Sequence, residues 1–371
     1  MVEERAFWLA WSQIPKIGPI LLGRLQKHFG TLSEAWLASP GALREVEGFG
    51  RQTIEVVVEK RSRLNPRQLL EQHSAKNPCF WTPADADYPR LLLETPTPPP
   101  VLYYRGKVQL LENQGITPMV GIVGTRKPSD YGKRWTRKIS TVLAKNGFTI
   151  VSGMADGIDT EAHRACIEAG GRTLAVLGTG VNVVYPRNNK SLYEQILHHG
   201  LALSEYPADT PPTREHFPPR NRIIAGLSRA IMVMEAPTRS GALITADYAN
   251  EFCRDVYALP ARLDDQQSMG CLRLLNKGAM SFLDEAHLLE MLGAIPQLDS
   301  VQQLELFNQS PLPDLEPELK QVFQVISLEP APFDLIVQQT NLTPGSVSSA
   351  LLQLELLGLV LQLPGMRYQR C

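Results

Sequence analysis

Between residues 101 and 292 the chain alternates short apolar, β-branched runs with segments of helical period, and this alternation limits the fold more than any other feature. The runs are VLYY (101–104), MVGIVG (119–124), FTIVSG (148–153), TLAVLG (173–178), LALSEY (201–206), AIMVMEA (230–236) and DVYALP (255–260). Continuous apolar strands separated by helices of ten to fifteen residues indicate a mostly parallel sheet buried on both faces. The expected fold class is therefore α/β, a Rossmann-like, doubly wound sheet.

The flanks differ in kind. Residues 1–75 are helical with short loops, and IPKIGPILLGRLQKHFG (14–30) and VEGFGRQTIEVVVEK (46–60) each set a glycine turn before an amphipathic helix. That pattern suits a helix-hairpin-helix or SAM-like module, with Lys16, Arg24, Lys27 and Arg51 as its cations, and equally a plain helical packing module. Residues 76–292 form the extended Rossmann-like domain, with the stiff run ETPTPPP (94–100) read as the join. Residues 293–315, mixed Gln, Pro and Leu, read as a linker. In 316–371 the order is helix (316–328), helix (332–340), turn NLTP, helix (344–358) and an apolar two-strand tail, the order of a winged helix.

A formal net charge of −1 excludes a simple polycation and leaves local asymmetry open. Five cysteines without a C-x-x-C pair give no metal site or disulfide framework, which fits a reducing cytoplasm. The start MVEERAFWLAW has no leader character, and no apolar run approaches the roughly 18 residues of a membrane span.

Ligands of an open parallel sheet bind beyond the carboxyl ends of its strands. The residues collected there are Gly124, Thr125, Arg126 and Lys127, then Ser152–Met154, then Gly178–Gly180 and Tyr185–Arg187, then Ala236–Gly241 leading to Thr245. Glycines, hydroxyls and arginines with few acids suit anionic oxygens. The dinucleotide fingerprint is absent, because 121–124 is only G-x-x-G and no acid closes the next strand; no P-loop occurs either. No cofactor is expected. Residues 121–145 hold seven Lys or Arg against Asp130 alone, either a solvated face or a polyanion track. A second basic group, HFPPRNRIIAGLSR (216–229), places Arg220 and Arg222 around Asn221, with Phe217 free to stack on a base or to pack in the core. Ser240–Gly241 at a helix start, with Thr245, offers N–H groups and a hydroxyl to a phosphate, or is a capped turn. His163 reads as a satisfied helix residue. Ser152 and Ser240 lack a histidine and acid at readable spacing, and no metal-ligand cluster is present, so no catalysis and no metal are expected.

VGTRKPSDYGKR, VSGMADGIDTEAHRACIEAGGRTLAVLGTGVNVVYPRNN, LSEYP, HFPPRNRIIAGLSRAIMVMEAPTRSGALITADYANE and VYALPARLDDQQSMGCLRLLNKGA occur in that order, and together they resemble the DNA-processing protein A (DprA/Smf) family over about 80–292. The resemblance implies a non-enzymatic protein that binds incoming single-stranded DNA in natural transformation, forms a homodimer near residues 270–282, and helps load the RecA recombinase. It implies DNA contacts by Arg126, by the basic and aromatic residues of HFPPRNR, by the Ser240–Gly241 backbone and by Arg187. Thr125 stands where the family more often has serine, which keeps the hydroxyl.

Two rivals have specific marks. A phosphoribohydrolase-like enzyme on the same fold needs a P-G-G-x-G-T turn and a following glutamate; here SGALITADYANE supplies Glu251 without the second glycine pair. A duplex-reading winged helix needs cations, yet PGSVSSALLQLELLG has none, so that domain is expected to bind protein or its own chain. The leading account requires Arg126, Arg220 and Arg222 to share one channel.

Overall fold

The computed structural model describes residues 2–293, 317–326, 331–340, 342–356, 359–363 and 366–370. The chain divides into two compact units, Met1–Pro296 and Gln297–Cys371. The linker expected over 293–315 lies outside the described residues apart from 293.

In the first unit eight strands form one sheet: β1 (Phe80–Trp81), β2 (Leu102–Gly106), β3 (Met119–Val123), β4 (Thr149–Ser152), β5 (Thr173–Val176), β6 (Leu201–Ser204), β7 (Ala230–Val233) and β8 (Asp255–Ala258), in the order β1-β2-β6-β5-β4-β3-β7-β8. The six strands β3 to β8 pair in parallel, and β2 and β1 add an antiparallel edge. All seven runs read from the sequence are strands. The eighth, β1, is too short to show in the sequence: two residues carry no period. Because β1 precedes ETPTPPP, that run lies within the sheet domain rather than joining it, and its Pro99 carbonyl accepts from the Tyr88 hydroxyl at 2.9 Å.

Side chains alternate across the sheet, as a two-residue period requires. Met119 and Val123 of β3 with Ile231 and Val233 of β7 feed one core, while Val120 and Ile122 with Ala230 and Met232 feed the core on the opposite face. Each face is covered by helices, which explains why the central strands are apolar without interruption.

Six helices, from Val2–Ser12 to Pro66–Lys76, enclose a separate core around Trp8, Trp11, Leu22, Leu25 and Leu43. The helices Pro19–Phe29 and Arg51–Arg63 start directly after Gly18 and Gly50, at the two glycine turns. Leu9 of this module packs with Phe80, Val101 and Tyr103 of the sheet edge, so the two cores are in contact.

In the second unit the helices Pro317–Val325, Phe333–Thr340 and Pro344–Leu356 pack through Val322, Ile336, Val347 and Leu354. They are joined by the three-stranded antiparallel sheet β10-β11-β9, formed by Val360–Leu363, Arg367–Arg370 and Ala331–Pro332. Among the described residues no helix is long and apolar enough to cross a membrane.

Candidate nucleic-acid interface

β3 lies between β4 and β7, so the chain leaves it toward β4 in one direction and reaches β7 on its other side. A crevice opens at such a reversal, between the loops after β3 and β7. Here those loops are Gly124–Ser129 and Glu235–Ser240.

The β3 loop is locked from within the fold. A Cβ on Gly124 would lie 2.5 Å from Ile158 Cγ1 and 2.9 Å from the Glu235 carbonyl oxygen, so only glycine lets the turn approach this closely. The Thr125 N–H donates to Glu235 O at 2.7 Å, the Thr125 carbonyl accepts from Ile158 N at 3.1 Å, and the Thr125 hydroxyl accepts from Lys127 N at 3.2 Å. The Glu235 side chain is fully buried and accepts from the Ser129 N–H at 3.1 Å and the Ser129 hydroxyl at 2.7 Å. These bonds leave Arg126 at the apex, exposed and with no ion pair among the described residues.

On the opposite wall, Ser240 caps the helix Gly241–Glu251, its hydroxyl accepting from Ala242 N at 3.3 Å. Asn221 Nδ2 donates to the Gly241 carbonyl at 3.1 Å and ties this turn to the helix Phe217–Leu227. Phe217 is half-buried, and its ring rests on Gly178, where a Cβ would come within 2.8 Å of it. Tyr185 faces the same ring at 5.5 Å between centroids. The guanidinium of Arg126 lies 5.8 Å, and that of Arg220 6.0 Å, from the Phe217 centroid, both within cation–π range.

Arg220 is nearly buried. Its Nη1 donates to the Gly153 carbonyl at 2.7 Å and to the Val176 carbonyl, at the ends of β4 and β5. Burial lowers its pKa to about 10, partly offset by Asp159, so it stays a cation at neutral pH. Asp159 accepts from Gly153 N at 3.1 Å and Ala155 N at 3.3 Å. Burial pushes its carboxyl up to about 6 against the opposing pull of Arg220 and these N–H groups.

The resulting cleft encloses about 590 Å³. It brings together Gly124, Thr125, Arg126, Phe217, Arg220, Asn221, Ser240, Gly241 and Thr245. Tyr185 and Arg239, both within the strand-end stretches collected from the sequence, line it as well, and so does Arg214, which lay outside those stretches. Arg214 and Arg239 are exposed without an ion-pair partner among the described residues. Arg214 carried no such signal, since it follows no strand directly. Glu235 and Asp159 carried a fainter signal, each an acid inside or just beyond an apolar run.

Three expectations need correction. The requirement that Arg126, Arg220 and Arg222 share one channel is met by the first two only: Arg222 Nη2 pairs with Glu205 Oε1 at 2.7 Å, and its side chain lines a different cleft. Helical geometry is the reason, because two residues advance about 200° around the axis and send Arg220 and Arg222 to opposite flanks. Arg187 is exposed in the short turn Arg187–Asn189 and does not line the cleft. Of the seven cations between 121 and 145, Arg126 alone reaches it. Others engage acids: Arg137 with Glu161 at 2.5 Å, Lys133 with Asp130 at 3.9 Å, and Lys138 with Glu285. In the helical module Arg24 pairs with Glu47 at 3.3 Å and Arg51 with Glu55 at 3.0 Å.

His163 is buried, with Nδ1 2.7 Å from the Thr173 hydroxyl, and desolvation, followed by Arg220, holds its pKa down to about 3. It is a neutral packing residue. Glu251, the residue a hydrolase would need, lies at the far end of its helix and lines the other cleft.

The fold and the site define a doubly wound domain with an arginine-lined, aromatic-floored cleft at its switch point, a lining whose chemistry suits anions. Comparison with known proteins agrees and goes further. Residues 79–293 match the family model described as DNA recombination-mediator protein A, and residues 308–366 match that of the DprA winged helix domain. Protein Smf of Synechocystis is 55% identical, with 99% of each chain covered, and that of Escherichia coli is 36% identical over 84% of this chain and 86% of its own. The structure of DNA processing protein A from Streptococcus pneumoniae superposes with a TM-score of 0.66 at 34% identity, covering 76% of this chain and 95% of that one. That of the Helicobacter pylori protein, described for its single-stranded DNA binding mode, gives 0.52 at 31% identity, covering 57% and 95%. This chain belongs to the DNA recombination-mediator protein A (DprA/Smf) family.

Proposed function

We propose that the chain binds single-stranded DNA in the switch-point cleft and acts, without chemistry of its own, as a cytoplasmic recombination mediator that protects incoming DNA and assists RecA loading as a dimer. The observation that carries this reading is the set Arg126, Arg214 and Arg239, three exposed cations free of acid partners among the described residues, set around the Tyr185–Phe217 aromatic pair. Arginines and turn N–H groups meet phosphates, and rings receive unstacked bases, a combination suited to a flexible single strand. The relatives named as DNA processing proteins, and the Helicobacter pylori relative described by its single-stranded DNA binding, support it.

A binding titration tests it, with short single-stranded oligonucleotides beside the duplex of the same sequence over a salt series. Tight single-strand binding, weakening with salt by about 0.7 in log–log slope per phosphate engaged, is expected. Equal or stronger duplex binding refutes it. Incubation with AMP should release no adenine.

A further inference from the structure

The segment YPRNN, whose Arg187 stays outside the cleft, sends a different residue into the interior. Asn189 is 5% exposed and does not line the cleft. Its Nδ2 donates to the Met154 carbonyl at 3.0 Å and to the Thr160 hydroxyl at 2.9 Å. Met154 belongs to the loop after β4, residues 153–157, and Thr160 to the helix Ile158–Glu168 that follows it.

That loop is held in a costly shape. Met154, fully buried, has a φ of 61°, in the left-handed region that residues with a side chain seldom occupy. Such a conformation persists only where its surroundings over-determine it. Here the Asp159 carboxylate takes the N–H groups of Gly153 and Ala155, the Ala155 carbonyl accepts from the Thr160 hydroxyl at 2.7 Å and the Thr160 N–H at 3.2 Å, and Asn189 takes the Met154 carbonyl.

Both ends of the loop meet a cleft arginine. At its far end Gly157 has a φ of 83°, and a Cβ there would lie 2.4 Å from the Thr125 carbonyl oxygen and 2.8 Å from Arg126 Cα, so the backbone of Arg126 rests directly on it. At its near end the Gly153 carbonyl accepts from Arg220 Nη1 at 2.7 Å. One loop therefore sets the two guanidinium groups that flank Phe217, and a site gains affinity when the groups behind it fix its contacts in advance. We propose that Asn189 is a positioning residue for single-strand binding: it touches no DNA, and through the β4 loop it fixes Arg126 and Arg220 about the Phe217 ring. This inference rests on the single-strand reading of the cleft.

Asn189 is neutral and buried, so it engages no phosphate itself, and any change it causes in the salt dependence of binding must pass through the arginines. The test is fluorescence anisotropy of the full chain with short single-stranded oligonucleotides over a salt series, beside denaturant unfolding of each variant. Asn189→Ala should bind about tenfold more weakly, with a salt slope lower by about 0.7 for a phosphate no longer engaged. In an Arg126→Ala background the same change should cost a smaller factor, since residues that act through one another are not additive. Should Asn189→Ala fail to fold, Thr160→Val, which removes the hydroxyl bridging Asn189 to Ala155, is read by the same criteria, and Thr160→Ser should restore most of what it loses. Wild-type affinity and slope in a folded Asn189→Ala overturn the positioning role and leave the single-strand reading standing. Weaker binding with an unchanged slope and full additivity with Arg126→Ala overturns it as well, since that is the mark of a fold effect alone. Failure of the unaltered chain to bind any oligonucleotide overturns the single-strand reading and this inference with it.

Discussion

The guanidinium of Arg126 stands over the ring of Phe217, 5.8 Å from its centroid, with Arg126 exposed and Phe217 half-buried. One residue can meet a phosphate while the other offers a face to the adjoining base. Phe217→Ala should weaken oligonucleotide binding by about 1–3 kcal/mol, the worth of one stacked base. Gly178→Ala should weaken it too with the ring still present, because the new methyl would sit 2.8 Å from Phe217 Cδ1. Wild-type affinity in both variants, by fluorescence anisotropy, would remove the ring from the site.

Glu235 holds the β3 loop through Ser129, so its loss should act on the fold and the site together. Glu235→Ala strips partners from the Ser129 N–H and hydroxyl, and each donor left unsatisfied costs about 1–3 kcal/mol. Denaturant unfolding should show that loss, and single-strand affinity should fall with it. An unchanged unfolding midpoint would contradict the role given to Glu235.

Asp159 supplies a pH dependence. Its folded-state value, about 6, lies above the roughly 3.9 of an unfolded aspartate, so its protonation favours the fold, and that contribution is lost as pH rises through 6. Protonation also removes the negative charge that faces Arg220 in the cleft. Affinity for single strands should therefore rise between pH 7.5 and pH 5, and Asp159→Asn should be tighter at pH 7.5 and lack the step centred near 6. A wild-type step that persists in Asp159→Asn would assign it elsewhere.

The six parallel strands were legible because each is a mostly buried, mostly apolar run of four or five residues, and the cleft because strand ends in a parallel sheet are found from those runs. Strand order is not written in local pattern, so the pairing of the β3 and β7 loops, which makes the crevice, emerged only with the fold. Arg222 shows a further limit: adjacency in HFPPRNR suggested one channel, whereas helical rotation separates it from Arg220. The sequence left the crowded cations after Arg126 open between a solvated face and a polyanion track, because Glu161 and Glu285, the acid partners of Arg137 and Lys138, are distant in sequence.

The helix Pro344–Leu356 has no basic residue, which leaves that helix without the charge that duplex binding uses. The compact unit Met1–Pro296, produced without it, should keep the affinity and salt slope of the full chain for single strands. A large loss on truncation would place part of the DNA site in the second unit.

The central claim is that the cleft arginines, and not the basic helix, hold the strand. The direct measurement is the salt dependence of oligonucleotide binding by Arg126→Ala/Arg214→Ala/Arg239→Ala, beside Lys133→Ala/Arg134→Ala/Lys145→Ala on the helix Asp130–Lys145. The account predicts a slope lower by about 2 in the first variant, at about 0.7 for each phosphate no longer engaged, and a near wild-type slope in the second. The reverse result, with the helix variant losing the slope and the cleft variant keeping it, would contradict it.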